Sequence, residues 1–351
     1  MFISLKNADY RTIRQYRLAF GLTLSVAIAF AFNWPLAYFM PLLVCKFLCG
    51  DTATLPTKAL AGVFVVVLGA FFVGLQYSKF VLPYPFAFFI LAGLLIFWLA
   101  YWGNSGGNEF VVTLLFISIA VIPLLAKVHA EAATQFTLGF GYSCFIAIIV
   151  TLATFSLFPI NREQSMSAEQ EVSANRSVAD NYYLAGLTTL VALPAFIFFF
   201  LFDMTGGALI LTFIMILAQK PQTILGTKGS VALLVGNILG GVIALLMFAL
   251  LIAVTDYGFM VLLYGVMALL LSFVIFSSRK VAPLFAIAIT TVVVILGSST
   301  LADGGASSTF ASRILQIALA CLYVLFSSNV AVLLLGFDKA QLQQKIKASA
   351  T

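Results

Sequence analysis

The chain has 351 residues, 63% of them hydrophobic and only 9% charged, with 35 Phe and a mean hydropathy of +1.13. No water-soluble globule hides that much apolar surface, so the composition excludes a soluble domain and specifies a multi-pass, all-α membrane protein. The net charge of +6 is spread over short polar intervals; in a membrane chain this is an orientation signal first, and it gives nucleic-acid binding no support.

Six apolar runs are expected in the first half, at about 17–33, 36–50, 59–78, 82–102, 110–126 and 135–159. Lys6, Arg11, Arg14 and Arg17 precede the first run and place the N-terminus on the cytoplasmic side. Leu18 to Phe32, ending in Ala27, Ala29 and Ala31, also fits a signal peptide; its internal counterpart Tyr183 to Phe202 argues that the run is retained. The second run, Pro35 to Cys49, follows Asn33-Trp34-Pro35, contains Pro41, and is too short to cross about 30 Å of hydrocarbon as a straight helix. Leu55-Pro56-Thr57-Lys58 then leads into Ala59 to Leu75, the glycine-rich turn Trp102 to Asn108 precedes Glu109, and Glu131 falls in an outer loop.

A polar linker, 161–181, carries Arg162, Glu163, Glu169, Glu171, Arg176 and Asp180 and suits a solvated connector. The second half repeats the plan, with runs at about 182–202, 206–219, 229–255, 257–277, 281–298 and 310–336, and a polar tail at 338–351. Its second run, Gly206 to Gln219, is again short, and Leu225-Gly226-Thr227-Lys228 again leads into a Gly-bearing run. The expected architecture is therefore a membrane helical bundle of about twelve segments, arranged as two six-segment repeats, 1–160 and 182–337.

Sidedness decides whether those repeats are parallel. In a twelve-segment layout, Lys79, Lys127 and Arg313 lie outside and the other 15 of the 18 Lys and Arg lie inside, with both termini cytoplasmic. Both Thr-Lys copies then face the cytoplasm, so the halves share one orientation. The short segments at matching positions of the two repeats read either as pointers to a transport site or as ordinary spans completed by neighbouring polar residues.

Chemistry-bearing residues are few. Lys58 and Lys228 begin cytoplasmic helices that Thr57 and Thr227 would cap; they read either as anion-attracting helix starts or as interfacial anchors that snorkel. Arg313 is the single outer arginine, near the start of the last segment, where an arginine is costly unless it meets water, a carboxylate or an anion. Among 12 acids, Asp203, Glu109 and Asp303 are the proton-coupling candidates, Asp203 first because it joins the short second-half segment to a very apolar run. Four cysteines (Cys45, Cys49, Cys144, Cys321) sit in or beside apolar runs, and with His129 the lone histidine neither a disulfide framework nor a metal site is expected. No cofactor motif, nucleophile elbow or phosphate loop is present, so an enzyme is not expected.

The Arg-bearing N-terminus, the short second span, the Thr-Lys turn into a Gly-containing third span and a sixth span closing with Phe158-Pro159 resemble the fusaric acid resistance and aromatic acid exporter superfamily, in its short, membrane-only form. That resemblance implies a bacterial inner-membrane efflux component, driven by the proton gradient, that exports small aromatic or other organic acids. It further implies a periplasmic membrane-fusion adaptor and an outer-membrane channel as partners. Apart from the resemblance, membrane lipid is an expected partner and a homo-oligomer an open one. Arg17, Lys58, Lys228 and Arg313 fall at positions similar to the family's basic sites, and Thr57 and Thr227 fit its turn. Three other readings stay open: a major-facilitator-type transporter, whose loop after the second span differs from Gly50-Asp51-Thr52-Ala53-Thr54; a membrane scaffold subunit with no transport of its own; and a lipid-modifying membrane enzyme, which would cluster polar residues at one depth.

Overall fold

A computed structural model describes residues 10–34, 36–50, 57–159, 178–204, 207–219, 227–279, 281–300 and 306–334. The described residues form twelve α-helices and no strand. They are α1 Tyr10–Phe32, α2 Phe39–Cys49, α3 Thr57–Val81, α4 Pro85–Asn104, α5 Glu109–Val128 and α6 Ala130–Leu157, then α7 Val178–Leu201, α8 Ala208–Ala218, α9 Thr227–Ala253, α10 Tyr257–Ile275, α11 Ala282–Thr300 and α12 Ala306–Leu334. All twelve expected segments are present. Among the described residues, eight helices are long and apolar enough to cross a membrane by length and composition, so the chain is a multi-pass membrane protein.

Two boundaries differ from expectation in an informative way. α1 begins at Tyr10, so the basic stretch ahead of the apolar run is itself helical, and Arg14 and Arg17, three residues apart, share one face. α6 begins at Ala130, which puts Glu131 in a first helical turn, where a carboxylate meets the positive end of the helix dipole. The expected linker and tail, 161–181 and 338–351, lie outside the described residues apart from the start of α7.

The chain divides into two compact units. Unit 1 comprises Met1–Phe64, Leu138–Gln170 and Val235–Ile314; unit 2 comprises Val65–Thr137, Glu171–Leu234 and Leu315–Thr351. Each therefore draws on both halves of the sequence. In unit 1, α1 packs against α2 and α10, and α11 packs against α2 and α10 in turn, which closes a ring of four helices. In unit 2, α7 packs against α8 and α4, and α5 packs against both of those.

Polar contacts fix helix directions within each unit. Arg14, near the start of α1, reaches the backbone just past α2 and the Phe276 ring at the end of α10, while Tyr257 at the start of α10 donates to the Ala27 carbonyl further along α1. α1 is therefore antiparallel to α2 and α10. In unit 2, Gln219 after α8 donates to Thr113 at the start of α5, and Asn181 at the start of α7 donates to Ser105 after α4. Neighbouring helices alternate in direction there as well.

Between lipid-soluble helices, close packing and interhelical hydrogen bonds replace the hydrophobic effect as the source of cohesion. In unit 1, Gly236 and Gly240 on α9 form a small-xxx-small face against α11. A Cβ on Gly240 would stand 2.6 Å from the Ala288 carbonyl oxygen and 2.7 Å from Thr291 Cβ. Beside it, the buried Thr291 hydroxyl donates to Asn237 Oδ1 at 2.8 Å. In unit 2, the α4–α7 interface is aromatic: Phe88, 1% exposed, lies 5.5 Å from Phe196 and 4.8 Å from Phe200 between ring centroids. Tyr77 stacks on the same ring and donates its hydroxyl to the Phe88 carbonyl at 2.7 Å. Elsewhere, Thr and Ser hydroxyls bond their own helix one turn back, as Thr151 does to Ala147 and Thr154 to Val150, so buried hydroxyls are satisfied without a partner helix.

Candidate functional site

The two short helices carry the unusual backbone. α2 and α8 have 11 residues each, about 16 Å of rise against about 30 Å of hydrocarbon. Among the described residues, three non-glycine residues have positive φ: Asn33 (φ 43), Leu36 (φ 65) and Asp203 (φ 51), and all three lie at the entrances to these helices. Asn and Asp tolerate the left-handed region because their short polar side chains bond locally; Leu36 has no such help, and the conformation costs it about 1–2 kcal/mol. Such strain persists only where surrounding contacts determine it.

At the α2 entrance in unit 1 those contacts centre on Ser143 of α6. Trp34 Nε1 donates to Ser143 Oγ at 2.9 Å, and Ser143 Oγ donates to the Leu36 carbonyl at 3.1 Å, so one fully buried hydroxyl pins both flanks of the strained turn. Trp34 also meets Tyr142 edge-on at 5.1 Å, and Gly297 of α11 admits the Tyr38 side chain where a Cβ would collide with it.

At the α8 entrance in unit 2, α7 ends with Met204 N–H donating to the Phe199 carbonyl at 3.0 Å, while Asp203 holds the left-handed position between them. Lys127 Nζ, at the end of α5, donates to the Phe200 carbonyl at 2.6 Å while pairing with the Asp203 carboxylate. A cation thus sits at the negative end of the α7 dipole. Asp203, the foremost proton-coupling candidate, is 68% exposed at its side chain and ion-paired, at the end of a helix rather than inside one.

Arg17 is placed differently from the other basic candidates. It is 3% exposed, its Nε donates to the Phe158 carbonyl just past α6 at 2.8 Å, and its guanidinium lies 4.1 Å from the Phe155 ring centroid. One turn earlier, Arg14 donates to the Gly50 carbonyl at 3.0 Å, after the end of α2, and covers Phe276 at 4.4 Å. The C-terminal ends of α2, α6 and α10 therefore converge on the first turns of α1, where two guanidinium groups satisfy end carbonyls and offset helix dipoles. Arg14 and Phe276 had no part in the expected site. Their signal in the sequence was the three-residue spacing of Arg14 and Arg17, which puts both on one helical face.

Glu109 opens α5, where Asn108 Oδ1 accepts from the N–H groups of Phe110 at 3.0 Å and Val111 at 3.3 Å. Its own carbonyl accepts from Thr113, which in turn accepts from Gln219, so Glu109 belongs to the capped start of a helix packed on α8. Thr57, Lys58, Thr227 and Lys228 stand in the first turns of α3 and α9 and Arg313 in α12; their side chains, and all of Asp303, lie outside the described residues. Cys45 and Cys49 share one face of α2 with their sulfurs 3.8 Å apart, and among the described residues no three His, Cys, Asp or Glu side chains converge on one point. Arg17 and Asp203 thus belong to two separate clusters, one in each unit.

Residues 14–154 match a family model described as a protein of unknown function, DUF2955. No curated protein and no solved structure matches the chain.

Proposed function

We propose that the chain is an exporter of small organic acids, aromatic ones first, built from two parallel six-helix repeats in a bacterial inner membrane. The observation that carries the reading is the pair of 11-residue helices, α2 and α8, each entered through a left-handed non-glycine residue. Interrupted or shortened helices at matching places in two repeats mark substrate sites in transporters, and backbone strain is retained where function needs it. The helix lengths support the duplication: 23, 11, 25, 20, 20 and 28 residues from α1 to α6 stand against 24, 11, 27, 19, 19 and 29 from α7 to α12. So do the two helix rings, since α1, α2, α10 and α11 pack in the same order as α7, α8, α4 and α5.

The basic end of α1 is assigned to the cytoplasm, with both termini there, and the Asn33 and Asp203 breaks to the opposite half of the membrane. Proton coupling, organic-acid cargo, and the periplasmic adaptor with its outer-membrane channel rest on the family resemblance. Asp203, just before α8 with its carboxylate on Lys127, is the first candidate for coupling, and Glu109, at the start of a helix packed on α8, is the second. The test is accumulation of aromatic and aliphatic acids in cells that lack or overproduce the chain. Retention should rise on deletion and fall on overproduction for at least one acid; unchanged retention across a broad panel counts against export.

A further inference from the structure

Among the described residues, the end of unit 1 that gathers the starts and stops of its helices carries basic charge and no acid. Arg11 lies one turn before Arg14 on α1, Lys46 lies one turn before the Gly50 carbonyl that Arg14 holds, and Arg279 lies three residues beyond the Phe276 ring that Arg14 covers. All three side chains are exposed, and none has a carboxylate partner among the described residues. No described acid of unit 1 lies at this end: Asp256 caps the start of α10, at the opposite end of that helix. Arg14 and Arg17 are occupied with carbonyls and rings, so they fix the frame, and the other three cations point outward from it.

The apolar surroundings place this cluster at a particular depth. Tyr16 and Phe20 on α1, 43% and 38% exposed, and Phe273 on α10, 53% exposed, follow within one to three turns toward the middle of their helices. Exposed aromatics next to exposed cations are the pattern of a helix end seated among lipid headgroups, with rings at the acyl boundary. Three exposed cations, on α1, on α2 and just past α10, lie near the backbone and ring that Arg14 ties together, and together they present more positive charge than one zwitterionic headgroup can match.

We propose that this face binds an anionic phospholipid, its phosphate between Arg11, Lys46 and Arg279 and its chains along the exposed aromatics of α1 and α10. The inference is independent of whether the chain transports anything. A basic residue at a membrane surface contributes about fivefold to affinity for anionic lipid, so three together contribute on the order of a hundredfold. The contribution falls as salt rises.

The test uses the full chain in mixed micelles supplied with phosphatidylglycerol or phosphatidylcholine, with thermal unfolding and lipid retained in native mass spectra as the two readings. Phosphatidylglycerol should raise the unfolding temperature and be retained, and R11Q/K46Q/R279Q should lose that shift and retain at least tenfold less, while K79Q in unit 2 behaves as the parent. Equal effects of the two lipids, or undiminished retention by the triple variant, overturn the proposal. A matching shift from inorganic phosphate alone also overturns it, by making the face a soluble-anion site. If the triple variant does not fold, salt titration of the parent decides: retention that survives 0.5 M salt unchanged contradicts an electrostatic headgroup site, and retention that falls steeply supports it.

Discussion

Replacing Arg17 by Gln tests the idea that α1 clasps the ends of its neighbours. The side chain is 3% exposed, donates to Phe158 at 2.8 Å and covers Phe155 at 4.1 Å. A hydrogen bond from a charged donor is worth about 1.5–3 kcal/mol. A desolvated cation–π contact reaches about 2 kcal/mol. Both belong to one guanidinium and do not add, and burying the charge has its own cost, so the expected loss is about 3 kcal/mol, roughly a hundredfold in the folding equilibrium. Arg17→Lys keeps the charge without the planar stacking and should lose less; Arg17→Met removes the buried charge and leaves the Phe158 carbonyl unpaired, for a loss of about 1–2 kcal/mol. The assay is SDS-driven unfolding of the purified chain in mixed micelles, followed by the fluorescence of Trp34, which sits in unit 1 against Ser143 and Tyr142. If Arg17→Gln unfolds within about 0.5 kcal/mol of the parent, the clasp is refuted. A variant of parental stability that stops exporting would instead return Arg17 to the substrate-contact role that the family resemblance implies.

Three further outcomes follow from the same structure. Gly240→Leu should prevent α9 from closing on α11, with loss of folded protein in detergent extracts, because even a Cβ at Gly240 meets the Ala288 carbonyl at 2.6 Å; a monodisperse variant of parental stability would contradict that interface. Asp203→Asn keeps a residue that tolerates φ 51 and breaks only a half-exposed ion pair, so stability should change by less than about 1 kcal/mol. Any loss of pH-driven export in that variant then reports coupling rather than folding. Splitting the chain in the linker should yield halves that accumulate only when co-expressed, since each unit takes helices from both; either half alone, folded and monodisperse, would overturn the exchanged arrangement.

Helix existence was legible because each apolar run is bounded by a breaker that acts locally. The turn after α4 shows this, where Gly106 takes φ 97 and Asn108 caps α5 inside the expected Trp102 to Asn108 loop. Helix pairing was not legible, and α4 shows why. Its buried stripe is Phe88, Ala92, Ile96 and Ala100, but lipid makes the opposite face equally apolar, with Phe86, Ile90 and Leu94 exposed. Hydropathy therefore carries no periodic signal that could match α4 to α7. The same limit hid the role of Arg14 and Arg17. Basic residues before a first span read as topology signals, and only the arrival of α2, α6 and α10 at that end converts them into caps. Asp203 was legible as unusual from its place between two apolar runs, whereas its partner Lys127, 76 positions away in sequence, looked like an ordinary loop cation.

Export itself is tested most directly by flux through the purified chain. Proteoliposomes loaded with a labelled aromatic carboxylate should release it faster than protein-free vesicles when a pH gradient is imposed, and release should slow when the Leu36 turn is relaxed by Ser143→Ala, which removes the hydroxyl holding both of its flanks. Release equal to that of protein-free vesicles, for every acid in a panel that includes those whose cellular retention responds to the gene, would contradict the exporter reading.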